Sequence, residues 1–217
     1  MARAVDGDRD PRGAVAVRLT RRCRVLPRDI FRAGQPRLSS SVTDGTGLGP
    51  RLSGVTNRDK RPLAVFDLDN TLADTGHRQR FLERRPRDWD AFFAAAPEDT
   101  SLAEGIALVH ESARECEIVY LTGRPERCRR DTLDWLAAQG LPEGPLHMRG
   151  DADRRPARYT KLAILRRLAR TREIRVLVDD DELVCVDARR AGFTVVHARW
   201  TAPSGELRAA QQREGRT

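Results

Sequence analysis

The sequence predicts an α/β fold, a three-layer sandwich in which helices cover both faces of a central parallel sheet. From residue 62 onward, short apolar runs that are typical of buried strands alternate with segments of helical spacing. Such alternation favours parallel strands, because each crossover between them needs a helix or a long connection. The length of 217 residues suits one domain, with or without a tail. No run approaches the ~18 apolar residues of a membrane span, so we expect no membrane contact.

Local pattern predicts each element in turn. Apolar runs predict strands at 63–66, 118–121, 146–148, 174–178 and 193–197. Helical spacing predicts helices in pieces over 78–96, then at 102–109, at 125–139, from 161, and through 186–190. Ser101 and Glu104 have the spacing of a capping box. Pro125 suits the first turn of a helix, and Gly140 suits a helix end.

Residues 1–60 differ from the rest of the chain in charge and in pattern. They carry a net charge of +7 out of +8 for the whole chain, and no helical or strand period in them lasts more than a few residues. We interpret them as a disordered basic N-terminal extension, or as the product of a reading frame that starts too early. Their charge suggests a nucleic-acid partner for the extension only. The predicted domain occupies residues 61–200, and residues 201–217 form a C-terminal tail.

The cysteines indicate the redox environment. Cys23, Cys116, Cys128 and Cys185 are too far apart in sequence for a CxxC metal site. The first thirty residues alternate charged and short apolar pieces, unlike a secretory signal. We therefore interpret the cysteines as reduced thiols and expect a cytoplasmic protein.

Polar side chains follow three of the predicted strands. Asp67 and Asp69 follow the first, Thr122 ends the second, and Asp179 and Asp180 follow the fourth. Ligand sites of parallel sheets lie at the carboxyl ends of the strands, so we expect these groups to meet. Taken one by one, the first two are also compatible with turn-forming Asp, the threonine with a helix N-cap and the last two with a solvated helix start.

The predicted site needs positive charge. Two nearby carboxylates repel each other unless a cation or a proton compensates, and an all-oxygen site of this kind suits Mg²⁺. Asp67 and Asp69 can share one pocket only if the chain turns sharply after the strand. Lys161 opens a predicted helix and is one of two lysines among 40 basic residues, the other being Lys60. Because the composition favours Arg so heavily, a lysine here indicates a compact point charge, although a surface lysine is the alternative.

These motifs, in this order, resemble those of the haloacid dehalogenase (HAD) superfamily of phosphotransferases over about residues 62–200. The matching residues are Asp67, Asp69 and Thr71 in a D-x-D-x-T motif, Thr122 after the next strand, Lys161 at a helix start, and Asp179 and Asp180 after a later strand. The resemblance implies a Rossmann-like, HAD-like parallel sheet and a Mg²⁺-dependent phosphomonoesterase.

The resemblance also implies a role for each matching residue. Asp67 is the nucleophile that forms an aspartyl-phosphate, and Asp69 is the general acid and base. Thr122 and Lys161 hold the phosphoryl oxygens and neutralise their charge. The implied metal ligands are Asp67, the main-chain carbonyl of Asp69, Asp179 and Asp180.

A closer resemblance is to the phosphatase domain of phage-type polynucleotide kinase-phosphatases. It rests on residues 121–125, 132–136, 148–149, 161 and 178–180, while 72–78 and 89–93 resemble small phage and bacterial relatives. No G-x-x-x-x-G-K-[ST] motif occurs, so we expect no kinase domain in this chain. Asn70 stands where many relatives have Gly, and Asn is tolerated at tight turns.

This closer resemblance implies a polynucleotide 3′-phosphatase that acts in nucleic-acid end repair. Only 55 positions separate Asp67 from Thr122, which leaves room for about two or three short helices and little or no cap domain. The residues expected to contact substrate are Arg124, Arg149, His77 and Arg78, with Arg154, Arg155 and Arg158 around the site. Two alternatives stay open: a phosphatase for free nucleotides or other small phosphate esters, and a catalytically silent binding module.

Overall fold

The computed structural model describes residues 60–83, 85–201, 207 and 209. The predicted N-terminal extension, apart from its last residue, and most of the predicted C-terminal tail lie outside the described residues. The strands are β1 (Leu63–Phe66), β2 (Ala73–Asp74), β3 (Thr100–Ser101), β4 (Glu117–Pro125), β5 (Leu146–Arg149), β6 (Ile174–Asp179) and β7 (Val195–His197). The helices are α1 (Arg80–Glu83), α2 (Trp89–Ala94), α3 (Ala103–Ser112), α4 (Arg129–Ala138), α5 (Ala157–Ala169) and α6 (Glu182–Arg190).

The central sheet has five parallel strands in the order β5-β4-β1-β6-β7. Because parallel crossovers are right-handed, this order places α3 and α4 on one face and α5 and α6 on the other. A core cluster confirms the second layer: alternate residues of β1 and β4 pack with Leu165 of α5 and Val184 of α6. The structure therefore confirms the predicted three-layer sandwich.

The segment between β1 and β4 is a short insertion. The two-residue strands β2 and β3 pair antiparallel, and α1, α2 and two 3-10 turns lie between them. Trp89, Phe92 and Phe93 of α2 are buried against one another, with ring centroids 5.4–5.9 Å apart. These aromatic side chains form a small core within the insertion.

Several predicted boundaries were wrong. Ser101 pairs with Ala73 in the small hairpin, so α3 begins after Leu102 and has no side-chain cap. Pro125 ends β4 beside Arg149 of β5, and a 3-10 turn separates it from α4. In these two cases, pairing with a distant strand overrides the local helix signal.

Two further elements begin at other residues than predicted. Helix α5 begins at Ala157, so Lys161 lies in its second turn rather than at its start. The last strand begins at Val195 rather than at residue 193. Among the described helices α5 is the longest, with 13 residues, and none has the length and hydropathy needed to cross a bilayer.

Candidate active site

Three carboxylates converge where β1 and β6 end. Asp67 follows β1, Asp179 is the last residue of β6, and Asp180 follows it. The two strands are hydrogen-bonded neighbours, and the amide of Asp67 donates to the carbonyl of Val178 over 2.9 Å. Each of the three carboxylates places one oxygen within 4.8 Å of the other two. We call Asp67, Asp179 and Asp180 the carboxylate cluster; the structure brings them together as the sequence predicts.

Lys161 is the cation that faces the carboxylate cluster. Its Nζ lies 2.8 Å from Oδ1 of Asp67 and 2.7 Å from Oδ2 of Asp179. The side chain is buried, which by itself lowers its pKa, but the charges of Asp179 and Asp67 more than offset burial and raise the pKa. Lys161 therefore carries its charge beside Asp67 and Asp179, while its role toward a phosphate stays a prediction.

One ammonium does not balance three carboxylates. Burial is the main reason that the pKa of Asp67 is raised to about 7, and Lys161 only partly offsets it. Burial likewise raises the pKa of Asp179, and raises that of Asp180 well above its usual range with help from the charges of Asp67 and Asp179. The cluster therefore lacks positive charge.

The donors of the carboxylate cluster fit a hard divalent cation. Oδ1 of Asp180 is buried and has no hydrogen-bond partner among the described residues, while Oδ2 accepts from Nδ2 of Asn70 over a long 3.4 Å. A buried carboxylate oxygen without a partner is costly unless a cation or a water satisfies it. Carboxylate oxygens are the donors that Mg²⁺ prefers, so these residues fit the predicted ion.

A sharp turn follows Asp67. The amides of Thr71, Leu72 and Ala73 all donate to the carbonyl of Leu68. Asn70 adopts a left-handed conformation with φ of 57°, which Asn tolerates better than most residues, and its Oδ1 accepts from Thr75 over 2.6 Å. This turn directs Asp69 toward a different set of partners from those of Asp67.

Asp69 belongs to a separate group that we call the ion-pair cluster, formed by Asp69, Asp99, Arg78 and Arg124. The Nη2 atom of each arginine lies 2.6 Å from Oδ1 of Asp69 and 2.7 Å from Oδ2 of Asp99. The Nε atoms add bonds of 2.8 Å from Arg78 to Asp99 and 2.9 Å from Arg124 to Asp69. All four side chains are buried.

The ion-pair cluster keeps Asp69 ionised. Burial alone raises the pKa of this carboxyl, but Arg124 and Arg78 outweigh burial and hold the pKa far below its usual value. The pKa of Arg124 is raised in turn, since the charge of Asp69 more than offsets burial. The two arginines thus hold Asp69 as an anion and lower its proton affinity.

Asp99 is a site residue that the sequence analysis missed. It follows a 3-10 turn in the insertion, and its side chain accepts from both buried arginines and lies 2.9 Å from Nε2 of His77. Its carbonyl also accepts from the indole of Trp135 over 2.8 Å. No sequence motif surrounds Asp99. Only the burial of Arg78 and Arg124 indicates that a second carboxylate is needed, and the composition does not show that these arginines are buried.

The four residues expected to bind substrate lie in different surroundings. Arg78 and Arg124 are inside the ion-pair cluster rather than on an open rim. Arg149 is buried and its Nη1 donates to the carbonyl of Arg155 over 2.6 Å. His77 is partly exposed beside Asp99. Their contact with substrate stays a prediction.

Thr122 and the arginine-rich loop after β5 were also expected at the site. Thr122 is buried near the end of β4, and its hydroxyl oxygen accepts from the amide of Arg124 over 3.1 Å. Its hydroxyl proton therefore remains for another acceptor. In the loop after β5, Arg154 and Arg155 are exposed, and Arg155 pairs with Asp153 at 2.7 Å.

Comparisons with known proteins identify the family. The sequence model described as "Polynucleotide kinase PNKP phosphatase domain" matches residues 62–200. No curated protein matches the chain. Two solved structures align with TM-scores of 0.52 at 21% identity: a chain of the Pnkp1/Rnl/Hen1 RNA repair complex, over 68% of this chain and 46% of that chain, and a chain of the Pnkp1/Rnl/Hen1 complex, over 77% and 57%. A class C acid phosphatase from Bacillus anthracis with tungstate bound aligns with a TM-score of 0.49 at 15% identity, over 70% of this chain and 71% of that one.

The likeness to the two Pnkp1/Rnl/Hen1 chains shows a shared fold, and this chain spans about half of their length. The family match covers most of the protein, including both clusters of the site. The predicted family is thus confirmed: this chain belongs to the polynucleotide kinase PNKP phosphatase domains of the HAD superfamily and contains a phosphatase-type hydrolase domain.

Proposed function

We propose that the domain is a Mg²⁺-dependent phosphomonoesterase that removes the phosphate from a nucleic-acid 3′ end through an aspartyl-phosphate on Asp67. The observation that carries this proposal is the separation of Asp67 and Asp69 into two clusters. Asp67 lies beside an ammonium and two further carboxylates, whereas Asp69 is fixed by two arginines. Two acids two residues apart therefore have surroundings suited to different roles.

In the first step, a carboxylate oxygen of Asp67 forms a bond to phosphorus while the bond from phosphorus to the leaving oxygen breaks. Lys161, 2.8 Å from Asp67, favours the ionised form of the nucleophile and lies where it can bind a phosphoryl oxygen. The free hydroxyl proton of Thr122 can bond to a second phosphoryl oxygen. A Mg²⁺ ion held by Asp67, Asp179, Asp180 and the carbonyl of Asp69 would neutralise the charge shared by the carboxylates and the phosphate.

Asp69 handles the protons of both steps. The leaving oxygen takes a proton from Asp69, and in the second step water gives a proton to Asp69 while its oxygen displaces Asp67 from phosphorus. The ion-pair cluster favours the ionised form, which the second step requires. For the first step, the phosphate dianion competes with Asp69 for Arg78 and Arg124 and thereby raises the proton affinity of Asp69.

Several observations favour a nucleic-acid end as substrate. The family match is to phosphatase domains of polynucleotide kinases, and two similar folds come from Pnkp1/Rnl/Hen1 complexes, one of which is titled an RNA repair complex. The insertion between β1 and β4 is small, so it leaves the site open to a bulky substrate. Exposed Arg154 and Arg155 offer positive charge to a phosphodiester backbone.

The described cysteines do not compete as nucleophiles. Cys116, Cys128 and Cys185 are buried free thiols, and burial raises the pKa of each, to about 12 for Cys185. Such thiols stay protonated and unreactive at neutral pH. They support a reducing compartment, and we propose a cytoplasmic location on that basis.

The proposal is tested by measuring phosphate release from four substrates: a 3′-phosphorylated oligonucleotide, its 5′-phosphorylated isomer, a 3′-mononucleotide and a sugar phosphate. We expect Mg²⁺-dependent release with the highest kcat/KM on the first, and none with the Asp67→Asn variant. Preference for the mononucleotide would replace the polynucleotide assignment with a small-nucleotide phosphatase. No release from any substrate would favour a silent binding module.

A further inference from the structure

A cleft lies beside the candidate active site, between helix α5 and the segment that precedes this helix. Its volume is about 610 Å³, within the ~300–1,000 Å³ range of ligand sites. The end of β5, the loop of residues 150–155 and one side of α5 line the cleft. Apart from Arg155, none of the residues that were given a role above lines this cleft.

The cleft is strongly basic. Arg155, Arg166, Arg167 and Arg170 line it, and Asp153 is the one carboxylate among its lining residues. Asp153 is already paired with Arg155 at 2.7 Å. The other three arginines are exposed, and their side chains form no hydrogen bond or ion pair with any residue that the structure describes. The cleft therefore presents unbalanced positive charge to solvent.

The cleft begins next to the catalytic residues. Its lining residue Thr160 directly precedes Lys161, and Gly150 directly follows Arg149. Oδ2 of Asp153 accepts from the hydroxyl of Thr160 over 3.2 Å, which ties the loop to the helix at this end. From there the lining continues along α5 to Arg170, a span of ~15 Å at the helical rise per residue. The cleft thus leads away from Lys161 for more than the length of one nucleotide.

Three of the lining residues are apolar, and we call them the floor of the cleft: Met148, Ala163 and Ile164. Apolar side chains offer contact area for sugars and bases, and a row of guanidinium groups can hold successive phosphates. An acidic peptide would use the arginines but would leave the apolar floor unused.

We propose that this cleft binds the single-stranded polynucleotide whose phosphorylated end occupies the active site. The proposal rests on the proposed function for the direction of the strand, but not for the binding itself. Arg166 and Arg167 contact the phosphodiester backbone, and the floor contacts sugars and bases. The cleft thereby adds affinity that a free nucleotide does not gain.

The test measures binding apart from catalysis. A labelled single-stranded oligonucleotide of about 12 nucleotides without a terminal phosphate is titrated with the full chain, between about 50 and 200 mM salt, by fluorescence anisotropy. We expect the double variant Arg166→Ala/Arg167→Ala to weaken binding by about tenfold at low salt. The slope of log K against log salt should fall by about 1.4, since each single-strand phosphate contact contributes ~0.7. The corresponding double Lys variant should retain most of the affinity because it keeps the charge.

The matched control is Arg189→Ala/Arg190→Ala, which removes the same charge from exposed arginines in the last turn of α6. We expect it to bind as the wild type does. Equal weakening by both double variants would reduce the effect to net charge and overturn the proposal. Unchanged binding by the first, or equally tight binding of poly-glutamate, would also overturn it. Because the probe carries no terminal phosphate, failure of the phosphatase assignment would appear only in the substrate comparison.

Discussion

The two clusters of the site contain similar residues but differ in charge balance. The carboxylate cluster has three carboxylates, two of them buried, and faces the one ammonium of Lys161; the pKa of each of its acids is raised. The ion-pair cluster has two carboxylates and two guanidinium groups, and the pKa of Asp69 is lowered. An unbalanced cluster is one that a cation and a phosphate can complete. A balanced cluster is already complete and holds its members in place.

The largest expected effect distinguishes Asp67 of the carboxylate cluster from Asp69 of the ion-pair cluster. Asp67→Asn removes the nucleophile and should abolish phosphate release. Asp69→Asn keeps the nucleophile, so kcat should fall by about 10²–10⁴-fold, and a substrate with a good leaving group should leave a phosphorylated, stalled enzyme. Mass spectrometry of the intact protein checks this. A phosphoenzyme formed by the Asp67 variant would refute the assignment.

The next effect concerns the balance of the ion-pair cluster. Asp99→Asn removes one of two carboxylates that neutralise Arg78 and Arg124, both fully desolvated. Breaking a buried ion pair in this way costs about 3–5 kcal/mol, so urea unfolding should show a loss of that size. The matched control is Asp90→Asn, whose side chain is 92% exposed in its ion pair with Arg127, and it should unfold as the wild type does.

A second measurement tests whether Asp99 also positions Asp69 for proton transfer. The pH profile of kcat should change shape in Asp99→Asn, because the arginines then interact with Asp69 alone. Loss of stability with an unaltered profile would show that Asp99 has a structural role only.

A smaller effect follows from the charge deficit of the carboxylate cluster. Mg²⁺ should stabilise the folded protein, by about 2.7 kcal/mol at a concentration 100-fold above its Kd. Thermal unfolding with and without Mg²⁺ measures this directly. Asp180→Asn should remove the stabilisation, whereas Asp90→Asn should keep it. If the wild type shows no shift at millimolar Mg²⁺, the cluster does not hold this ion.

The smallest effect is expected from a deletion that lies outside both clusters. Both clusters lie between residues 67 and 180, and every strand among the described residues begins after residue 62. We propose that residues 61–200 fold as the domain, so deletion of residues 1–58 should leave thermal stability and turnover of small esters unchanged. A loss of several kcal/mol, more than most single mutations cause, would show that this segment packs on the domain.

The sequence was sufficient to predict the carboxylate cluster. Apolar runs mark the strands, and parallel strands bring the residues at their carboxyl ends together, so Asp67, Thr122 and Asp179 could be placed before the structure was known. Lys161 was recognisable from the scarcity of lysine. Each of these signals is local or depends on a simple rule of topology.

The ion-pair cluster could be predicted only in part. Arg78 and Arg124 are two of 40 basic residues, and nothing in the neighbouring sequence shows that they are buried. The pairing of β2 with β3 places Asp99 beside these two arginines. Each of these strands has two residues, which is too short for a strand period to show in the sequence. Because this pairing is long-range, the local capping-box pattern at Ser101 gave the wrong boundary.

The position of the ion-pair cluster has a consequence for how the enzyme works through its cycle. Arg78 precedes α1 and Asp99 follows α2, and their side chains bond to Asp69 after β1 and to Arg124 of β4. Buried bonds at both ends of the segment that contains α1 and α2 oppose a hinge motion of the kind that closes lids over substrates in other enzymes. We therefore expect no opening or closing step to limit turnover. Water must instead be excluded by the substrate itself. A bound polymer would exclude water from the site, whereas a small ester would react in a site that contains more water.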